Sequence, residues 1–320
     1  MSRPAPRIDR PFVIRVVGTL GSLGLLLYLL SQQGWAEILS ALRRIPASSL
    51  IAVVGLLFVS RLAVTARWHS LLRSTDPSIS FRDSLRLTLA GLFAANFLPT
   101  TVGGDVVRLA GVMKLSRDRV GSAASIVADR LIGLLGMAMV LPLGLRDLVL
   151  WLQAGSLGAG LPFVPLAAGG VGGSATSSGK SLFERGRRAA GRILEALRMW
   201  LRQPRALVLA LGFTWIHMGC LFTEIWLLLR GMGQGLSPAS IGGLWSLSYF
   251  VTLMPFSING LGLREVSVTY LFSELGGVSL ESALTLAVIL RALDMVVSLP
   301  GAAFVSGVMT DWSAGRQEKV

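Results

Sequence analysis

The feature that most constrains this chain is a series of long stretches that contain no charged residue. They lie at residues 16–36, 45–60, 87–104, 148–179, 206–223, 231–263 and 295–310. A helix needs roughly 20 apolar residues to cross a hydrocarbon core, and several of these stretches approach or exceed that length. Only 15% of the 320 residues are charged, whereas about a quarter are charged in an average soluble domain. The sequence therefore predicts an all-α polytopic membrane protein.

The basic residues behind the formal net charge of +13 lie between the apolar stretches. Four arginines precede or border the first stretch, and residues 180–205 carry eight basic residues against Glu184 and Glu195. Such segments are typical of the cytoplasmic side of a membrane, so we expect both termini inside. No segment is long enough for a soluble module that would bind nucleic acid. The single cysteine, Cys220, excludes a disulfide framework and a paired-cysteine metal site.

The apolar stretches and basic loops divide the chain into two membrane halves. The first half covers residues 12–170, with a repeat at about 50–145, and the second half and repeat cover 206–308. Between them, 171–205 predicts a Gly/Ser linker and a basic amphipathic helix on the inner membrane surface. Residues 1–11 and 309–320 are predicted cytoplasmic tails. Six spans are predicted, near residues 12–31, 50–68, 123–145, 148–170, 206–229 and 281–307.

Each half also contains an apolar segment that a proline and glycines interrupt. Arg108 and Arg264 each stand nine positions after the proline of their segment, Pro99 or Pro255. The glycines are Gly103 and Gly104 in the first segment and Gly260 and Gly262 in the second. Such broken segments predict re-entrant hairpins that line a cavity, one entering from inside and the other from outside. The fold prediction is about six transmembrane helices plus two broken re-entrant hairpins arranged as inverted repeats, which is typical of a transporter.

The breaks also predict a binding site for an anion. Proline donates no backbone hydrogen bond and glycine allows a sharp turn, which exposes unpaired N–H groups at the start of the next half-helix. Helix N-termini attract phosphate, and Arg108 and Arg264 would add charge-assisted hydrogen bonds. Asn96 and Asn259 are further candidates for the polar lining. The alternative is that proline and glycine only kink a spanning helix.

Several ionisable residues lie within the apolar segments, where each costs at least about 2.5 to 3.5 kcal/mol at the bilayer centre. Asp105 with Arg108 and Arg291 with Asp294 are three residues apart, and Asp129 adjoins Arg130. They are either internal pairs that fix helix packing or parts of a translocation path, and their placement about the two breaks favours the path.

His217 and Glu224 are seven residues apart and therefore share one helix face. They are candidates for a proton relay or a headgroup contact, although a membrane histidine more often serves packing. Arg61 lies near the inner end of its span and is predicted to snorkel towards the interface. Arg67 is predicted to begin a cytoplasmic loop.

The sequence lacks the motifs of the common hydrolases. It contains no HExxH and no GxSxG. Val102 stands where the GxGD motif of intramembrane aspartyl proteases requires glycine. Acidic clusters with metal-ligand spacing are also absent. We therefore predict no catalytic residue, no metal and no cofactor.

Several short motifs together resemble a known family. They are Arg67-Trp68 with Leu71-Leu72, Asn96-Phe97-Leu98-Pro99, Gly103-Gly104-Asp105 with Arg108, Asp129-Arg130-Leu131, Pro255, Asn259-Gly260-Leu261-Gly262 and Arg264-Glu265. Over about residues 10–308 the chain resembles the lysylphosphatidylglycerol synthase transmembrane family, which includes the flippase domains of bacterial multiple peptide resistance factors. The resemblance implies movement of a lipid from the inner to the outer leaflet of a bacterial cytoplasmic membrane. It places Asp105, Arg108, Asp129, Arg130, Arg264 and Glu265 at the lipid path.

Three functions follow as hypotheses. The first is a flippase that moves a phospholipid or lipid-linked headgroup through a polar cavity at the repeat interface. The second is a non-transporting membrane subunit that presents lipid to a separate synthase or glycosyltransferase. The third is a lipid-modifying enzyme with catalytic carboxylates such as Asp105 or Glu224. Bifunctional relatives carry an aminoacyl-transferase domain after the membrane part, and because this chain stops soon after Asp311 we expect no synthase activity. A homo-oligomer or a partner lipid-modifying enzyme is compatible with the first two hypotheses.

Overall fold

The computed structural model describes residues 35–97, 103–153, 203–253 and 262–305, together with Gly24, Leu27, Tyr28, Ser31 and Trp200. Every regular element in these ranges is helical. In chain order they are α1 (Trp35–Arg44), α2 (Ala47–Thr75), α3 (Phe81–Phe97), α4 (Gly103–Leu115), α5 (Arg119–Gln153), α6 (Pro204–Gly231), α7 (Pro238–Leu253), α8 (Leu263–Glu274) and α9 (Leu280–Ser298), which a short 3-10 turn (Leu299–Gly301) follows.

Four of these helices are long and apolar enough to cross a membrane. They are Ala47–Thr75, Arg119–Trp151, Pro204–Gly231 and Leu280–Val305. At 1.5 Å per residue each is about 39 Å or more in length, which exceeds a hydrocarbon core of about 30 Å. A helix that could cross a membrane therefore lies at each of the spans predicted near 50–68, 123–145, 206–229 and 281–307. The predicted span near 12–31 and the interfacial helix before residue 200 lie outside the described ranges.

One predicted boundary is wrong. One span is predicted to end at residue 145 and another to begin at 148, on either side of Arg146 and Asp147, which interrupt the apolar run. Helix α5 instead continues without a break through both residues to Gln153, with Pro142 inside it. Two charges at the end of a long helix do not require a turn, because the last turns of a 35-residue helix extend beyond the hydrocarbon. The remainder of the predicted span 148–170 lies outside the described residues.

The two interrupted segments form pairs of short helices. Helices α3 and α4 pack against each other, and so do α7 and α8. The residues of the breaks themselves, at 98–102 and 254–261, fall outside the described ranges, and with them Pro99, Pro255, Asn259 and Gly260. Gly262, which caps the start of α8, has a φ of 74°, a conformation that glycine adopts without the steric cost of a β-carbon.

Glycines bring two helix pairs into backbone contact. A β-carbon on Gly104 of α4 would lie 2.6 Å from the carbonyl oxygen of Gly91 in α3, and one on Gly144 of α5 would collide with the backbone of Gly243 in α7. Small residues at such crossings let membrane helices approach closely enough for extensive van der Waals contact. The short helices α4 and α7 are thereby held against their neighbours.

The largest apolar core joins the second half of the chain to α2. It is formed by α6, α7, α8 and α9, with contributions from α1, α2 and α5. Helix α2 packs along α6 more extensively than any other pair of described helices. The charged side chains that reach the interior include Arg67 on α2, Arg108 on α4, Asp129 on α5 and Glu265 on α8.

Candidate functional site

Asp129 is the centre of a buried group of charges in the first half. It lies in α5 and is 1% exposed. Its Oδ1 accepts a hydrogen bond of 2.7 Å from Arg67 Nε in α2, and its Oδ2 accepts one of 3.1 Å from Arg108 Nη2 in α4. The guanidinium of Arg108 also stacks on the Trp68 ring, 4.1 Å from its centre. One carboxylate thus holds two arginines from different helices.

Asp105 and Arg130 extend this group towards solvent. Asp105, in the first turn of α4, accepts two hydrogen bonds of 2.8 Å from Arg130 Nε and Nη2, and its Oδ1 lies 3.5 Å from Arg108 Nη1. The Arg130 side chain is 62% exposed. We call Arg67, Arg108, Asp129, Asp105 and Arg130 the first charge cluster.

Asp294 is the centre of a second group of charges, as Asp129 is of the first. It lies in α9 and accepts hydrogen bonds from Arg61 Nη2 of α2 and, at 2.9 Å, from Arg264 Nη1 of α8. The Arg264 guanidinium lies 5.1 Å from the centre of the Trp245 ring. Asn96 of α3 donates to the Asp294 carbonyl oxygen, at 3.3 Å.

Glu265 and Arg291 complete this group. Arg291 Nε lies 3.7 Å from Glu265 Oε1, a distance that allows ionic attraction but not a hydrogen bond. Both Glu265 oxygens are buried without a hydrogen-bond partner among the described residues. We call Arg61, Arg264, Asp294, Glu265 and Arg291 the second charge cluster.

The two clusters have parallel designs that meet on α2. In each, an aspartate of the long helix after a short-helix pair binds one arginine from the second short helix and one from α2. Arg61 and Arg67 are six residues apart, so their side chains point about 120° apart around the helix axis and lie about 9 Å apart along it. Helix α2 is therefore the shared element that supplies one cation to each cluster.

A cavity of about 210 Å³ opens beside the first cluster and reaches Arg61. Four arginines and two aspartates line it, which leaves two positive charges in excess. The arginines are Arg61, Arg67, Arg108 and Arg130, and the aspartates are Asp105 and Asp129. Gly91, Gly104 and Gly133 form part of its wall, and a β-carbon on Gly91 would lie 2.8 Å from Arg108 Cγ. Gly91 makes room for the side chain of Arg108 inside the helix bundle, and Gly133 does so for that of Arg67.

Helix α6 contributes two ionisable residues. His217 lines the cavity, and its Nδ1 is 2.7 Å from Ser60 Oγ of α2. Glu224, two turns later, is 1% exposed, and its Oε1 has no hydrogen-bond partner among the described residues. The two residues are predicted to share a helix face, and the structure shows that they have different surroundings, since only His217 reaches the cavity.

The predicted site residues that the structure describes fall into the two clusters and their surroundings. The suggested pair of Asp105 and Arg108 is present, but other partners differ from those the sequence suggested. Asp294 is bound by Arg61 and Arg264, whereas the sequence pairs it with its helix neighbour Arg291. Arg61 does not snorkel, because it binds Asp294 inside the bundle. Arg67 is not the start of a loop either, because it is 8% exposed within α2 and binds Asp129.

The site predicted from the sequence did not include Arg61, Arg67, Trp68, Trp245 or Tyr249, although Arg67-Trp68 is one of the motifs that resemble the family. The guanidinium of Arg108 lies over the Trp68 ring and that of Arg264 over the Trp245 ring. Tyr249 lines the cavity. A signal was present for Arg67, because an arginine within a membrane-spanning helix needs a partner as much as an aspartate does. Trp245 gave no such signal, because aromatic residues are frequent in any apolar segment.

A family model described as "Lysylphosphatidylglycerol synthase TM region" matches residues 14–301. The match includes both charge clusters, the cavity and the two short-helix pairs. No curated protein matches the chain.

Proposed function

The chain belongs to the lysylphosphatidylglycerol synthase transmembrane family, whose name connects it with lipid handling, and from that premise we propose that it moves an anionic lipid between membrane leaflets. The cargo is a phospholipid or a lipid-linked phosphate, whose headgroup passes through the cavity while its acyl chains stay in the bilayer. The membrane is the cytoplasmic membrane of a bacterium.

The observation that carries this proposal is the charge of the cavity. Four arginines and two aspartates line a space of about 210 Å³, and because Arg61 is paired with Asp294 outside the lining, one arginine charge remains in excess. The space is large enough for a phosphate with its ester groups and too small for a folded partner. Buried arginines bind phosphate oxygens with strong, directional hydrogen bonds. Since Arg130 is largely exposed and engages Asp105, it is the residue best placed to exchange a carboxylate for an incoming phosphate.

The parallel design of the clusters supports a transporter built from two repeats. In this proposal α3–α4 and α7–α8 are re-entrant hairpins of inverted repeats, and α4 and α8 present their N-termini to the headgroup. Helix α8 begins without a side-chain cap, which leaves its first N–H groups available to an anion. Residues Asn96, Gly103, Gly104, Asp105, Arg108, Asp129, Arg130, Arg264, Glu265, Arg291 and Asp294 then surround the path.

The test is lipid movement in vesicles that contain the purified protein. Fluorescent lipids with anionic and zwitterionic headgroups are placed in both leaflets, and dithionite, which quenches only the outer leaflet, reports their exchange. Arg130→Gln removes one exposed cavity charge without opening the buried Asp129 site. Arg146→Gln makes the same change at an exposed position on the same helix, away from the cavity, and is the matched control.

The expected result is movement of anionic lipid that Arg130→Gln slows and Arg146→Gln leaves intact. Equal effects of the two variants, or equal rates for both headgroups, would contradict the proposed headgroup site. If the folded protein moves no lipid, the transport proposal is wrong, and the subunit that presents lipid to a separate synthase or glycosyltransferase becomes the better hypothesis.

A further inference from the structure

A second cavity, of about 750 Å³, lies where the last turns of α2 meet the first turns of α6. None of the described residues that line it also lines the cavity beside the first charge cluster. Helices α2 and α6 are both candidate membrane spans, and each is longer than the hydrocarbon core is thick, so their ends lie at the level of the lipid headgroups. We call this space the helix-end cavity, and the proposed transport path does not include it.

Arg73 and Arg205 make the helix-end cavity positive. Arg73 lies in the last turn of α2 and Arg205 in the first turn of α6, and both are exposed. No acidic residue is among the described residues that line the cavity. Asp76, three positions after Arg73, instead accepts hydrogen bonds from Ser116 and Arg117 in the turn between α4 and α5. Two positive charges therefore line this cavity without a carboxylate in its described wall.

Further from the helix ends, the wall of the helix-end cavity is apolar. Leu209 and Phe213 follow Arg205 at steps of four residues, so they lie about 6 and 12 Å deeper along the axis of α6. On α2, Ala66 lies seven residues before Arg73 and shares its helix face. A positive rim with apolar surface beneath it fits a ligand that has an anionic head and an apolar tail.

Hydrogen bonds between helices hold the walls of the helix-end cavity together. Trp200 Nε1 donates to Ser74 Oγ of α2 at 3.0 Å, and Gln203 Nε2 donates to the Ser74 carbonyl oxygen at 3.4 Å. On the other side, His69 Nδ1 of α2 lies 2.9 Å from Ser84 Oγ of α3. Because these contacts fix α2, α3 and the start of α6 relative to one another, a ligand finds the cavity already formed, which lowers the entropic cost of binding.

We propose that the helix-end cavity binds an anionic phospholipid of the surrounding membrane at a site outside the transport path. The lipid phosphate lies between Arg73 and Arg205, and an acyl chain passes along Leu209 and Phe213 into the bilayer. Basic pockets between membrane helices bind anionic headgroups in this way, and the guanidinium group matches phosphate geometry. The bound lipid bridges α2 and α6, and α2 supplies an arginine to each charge cluster.

Charge also argues against the preceding segment of the chain as the occupant. Residues 180–199, which lie outside the described ranges, carry six basic residues against two glutamates. A positive segment is repelled by a positive cavity, whereas an anionic lipid is attracted to it and is always available at the membrane surface.

The experiment is native mass spectrometry of the protein in detergent, which counts the lipids bound to each chain and measures their dissociation constants. The probes are a phosphatidylglycerol and a phosphatidylcholine with the same acyl chains, and inorganic phosphate is added as a competitor. The test variant combines Arg73→Gln with Arg205→Gln, which removes both positive charges and keeps polar side chains of similar length.

The matched control combines Arg43→Gln with Arg44→Gln. These two arginines are exposed at the end of α1, and the next residue, Ile45, packs against Gly231 at the far end of α6. Gly231 is 26 residues after Arg205, about 39 Å along the helix axis. The control therefore removes the same charge at the opposite end of the helix.

We expect the wild type and the control to bind phosphatidylglycerol in preference to phosphatidylcholine. The test variant should bind phosphatidylglycerol at this site at least about tenfold more weakly, because it loses two charge-assisted contacts, and should carry one lipid fewer. Equal binding by the test variant and the control, or equal binding of the two lipids by the wild type, overturns the proposal. Displacement of the lipid by inorganic phosphate at a similar concentration would indicate a site for free anions and also overturns it.

Unfolding midpoints without added lipid check that the test variant is folded. Since both arginines are exposed, we expect the midpoint of the wild type. If the double variant unfolds earlier, Arg73→Gln and Arg205→Gln are measured singly, each with an expected loss of about tenfold in affinity. The measured quantity is binding in detergent, so a protein that moves no lipid would contradict the proposed function without deciding this inference, which the binding data decide on their own.

Discussion

At the scale of single residues, the site consists of aspartates that each hold two arginines. Asp129 binds Arg67 and Arg108, and Asp294 binds Arg61 and Arg264. A buried carboxylate between two guanidinium groups leaves one positive charge uncompensated locally. The second carboxylate of each cluster comes with a third arginine, Asp105 with Arg130 and Glu265 with Arg291, so one positive charge remains in excess. In the first cluster Asp105 and Arg130 line the cavity, where the proposed phosphate would replace the carboxylate.

Removing the central carboxylate should destabilise the protein. In Asp129→Asn, Arg67 and Arg108 would face each other in the interior without the charge between them, so we expect a loss of about 3 to 5 kcal/mol. Asp105→Asn should cost less, about 1 kcal/mol, because its partner Arg130 is largely exposed to solvent. Thermal or denaturant unfolding in detergent measures both. The interpretation of the first cluster is wrong if the two variants lose equal stability.

At the scale of elements, close helix contacts position the site. Gly243 of α7 meets Gly144 of α5 backbone to backbone, so a β-carbon at either position has no room. Helix α7 carries Trp245, which contacts Arg264, and Tyr249, which lines the cavity. The glycine contact therefore sets the distance at which these aromatic residues stand from the charges.

Gly243→Ala should therefore lower stability by about 1 to 3 kcal/mol, because α5 and α7 must separate. A β-carbon at Gly212 in α6 would meet no atom within 4 Å, so Gly212→Ala should be neutral or stabilise the helix by up to about 1 kcal/mol. Unfolding midpoints of the two variants in the same detergent provide the measurement. Similar effects at both positions would contradict a packing role for Gly243.

Hydrogen bonds around Asp76, which we call the polar clamp, join two of the turns between helices. Asp76, just after α2, accepts hydrogen bonds from the Ser78 and Ser116 hydroxyls and from the Ser78 and Arg117 N–H groups. These bonds, that from the Ser78 hydroxyl foremost, hold the pKa of Asp76 below its usual range. The turn between α2 and α3 is thereby fastened to the turn between α4 and α5.

The clamp predicts a pH dependence of stability. Because the pKa of Asp76 is lower in the folded than in the unfolded chain, its contribution is complete above the unfolded value of about 3.9 and is lost as the pH falls towards the folded value. At pH 7 the wild type should unfold at a higher temperature than Asp76→Asn. The difference in unfolding temperature should become smaller below about pH 4. A gap that stays constant between pH 7 and pH 3 would show that ionisation of Asp76 does not matter.

At the scale of the whole molecule, the sequence predicted the helical fold, most residues of the candidate site and the pair of Asp105 with Arg108, but not the pairs between helices. The length of the apolar stretches was enough to predict the four described candidate spans. Asp105, Asp129 and Asp294 were predicted as site residues because they are charged residues within apolar segments. Sequence spacing pairs residues within one helix, such as Arg291 with Asp294, whereas the structure pairs Asp294 across three helices. Pairs between distant segments depend on how α2 packs against the other helices. Residue spacing within a single helix does not predict that packing.

Because α2 contributes an arginine to each charge cluster, substitutions on this helix test how the two clusters work together. Arg61 and Arg67 stand about 9 Å apart along α2 and share no partner, so the stability losses of Arg61→Gln and Arg67→Gln should add within about 0.5 kcal/mol in the double variant. Lipid movement should behave differently, because both arginines line one cavity. Either substitution alone should slow transport about as much as the two together.

Unfolding in detergent and the vesicle assay on the same four proteins measure the two quantities side by side. Additive losses of stability with non-additive losses of transport identify two independent structural clusters that serve one path. If transport losses were additive in free energy as well, the arginines would act at separate steps or separate sites. In that case the two halves would each handle lipid on their own, and α2 would join them only as a structural element.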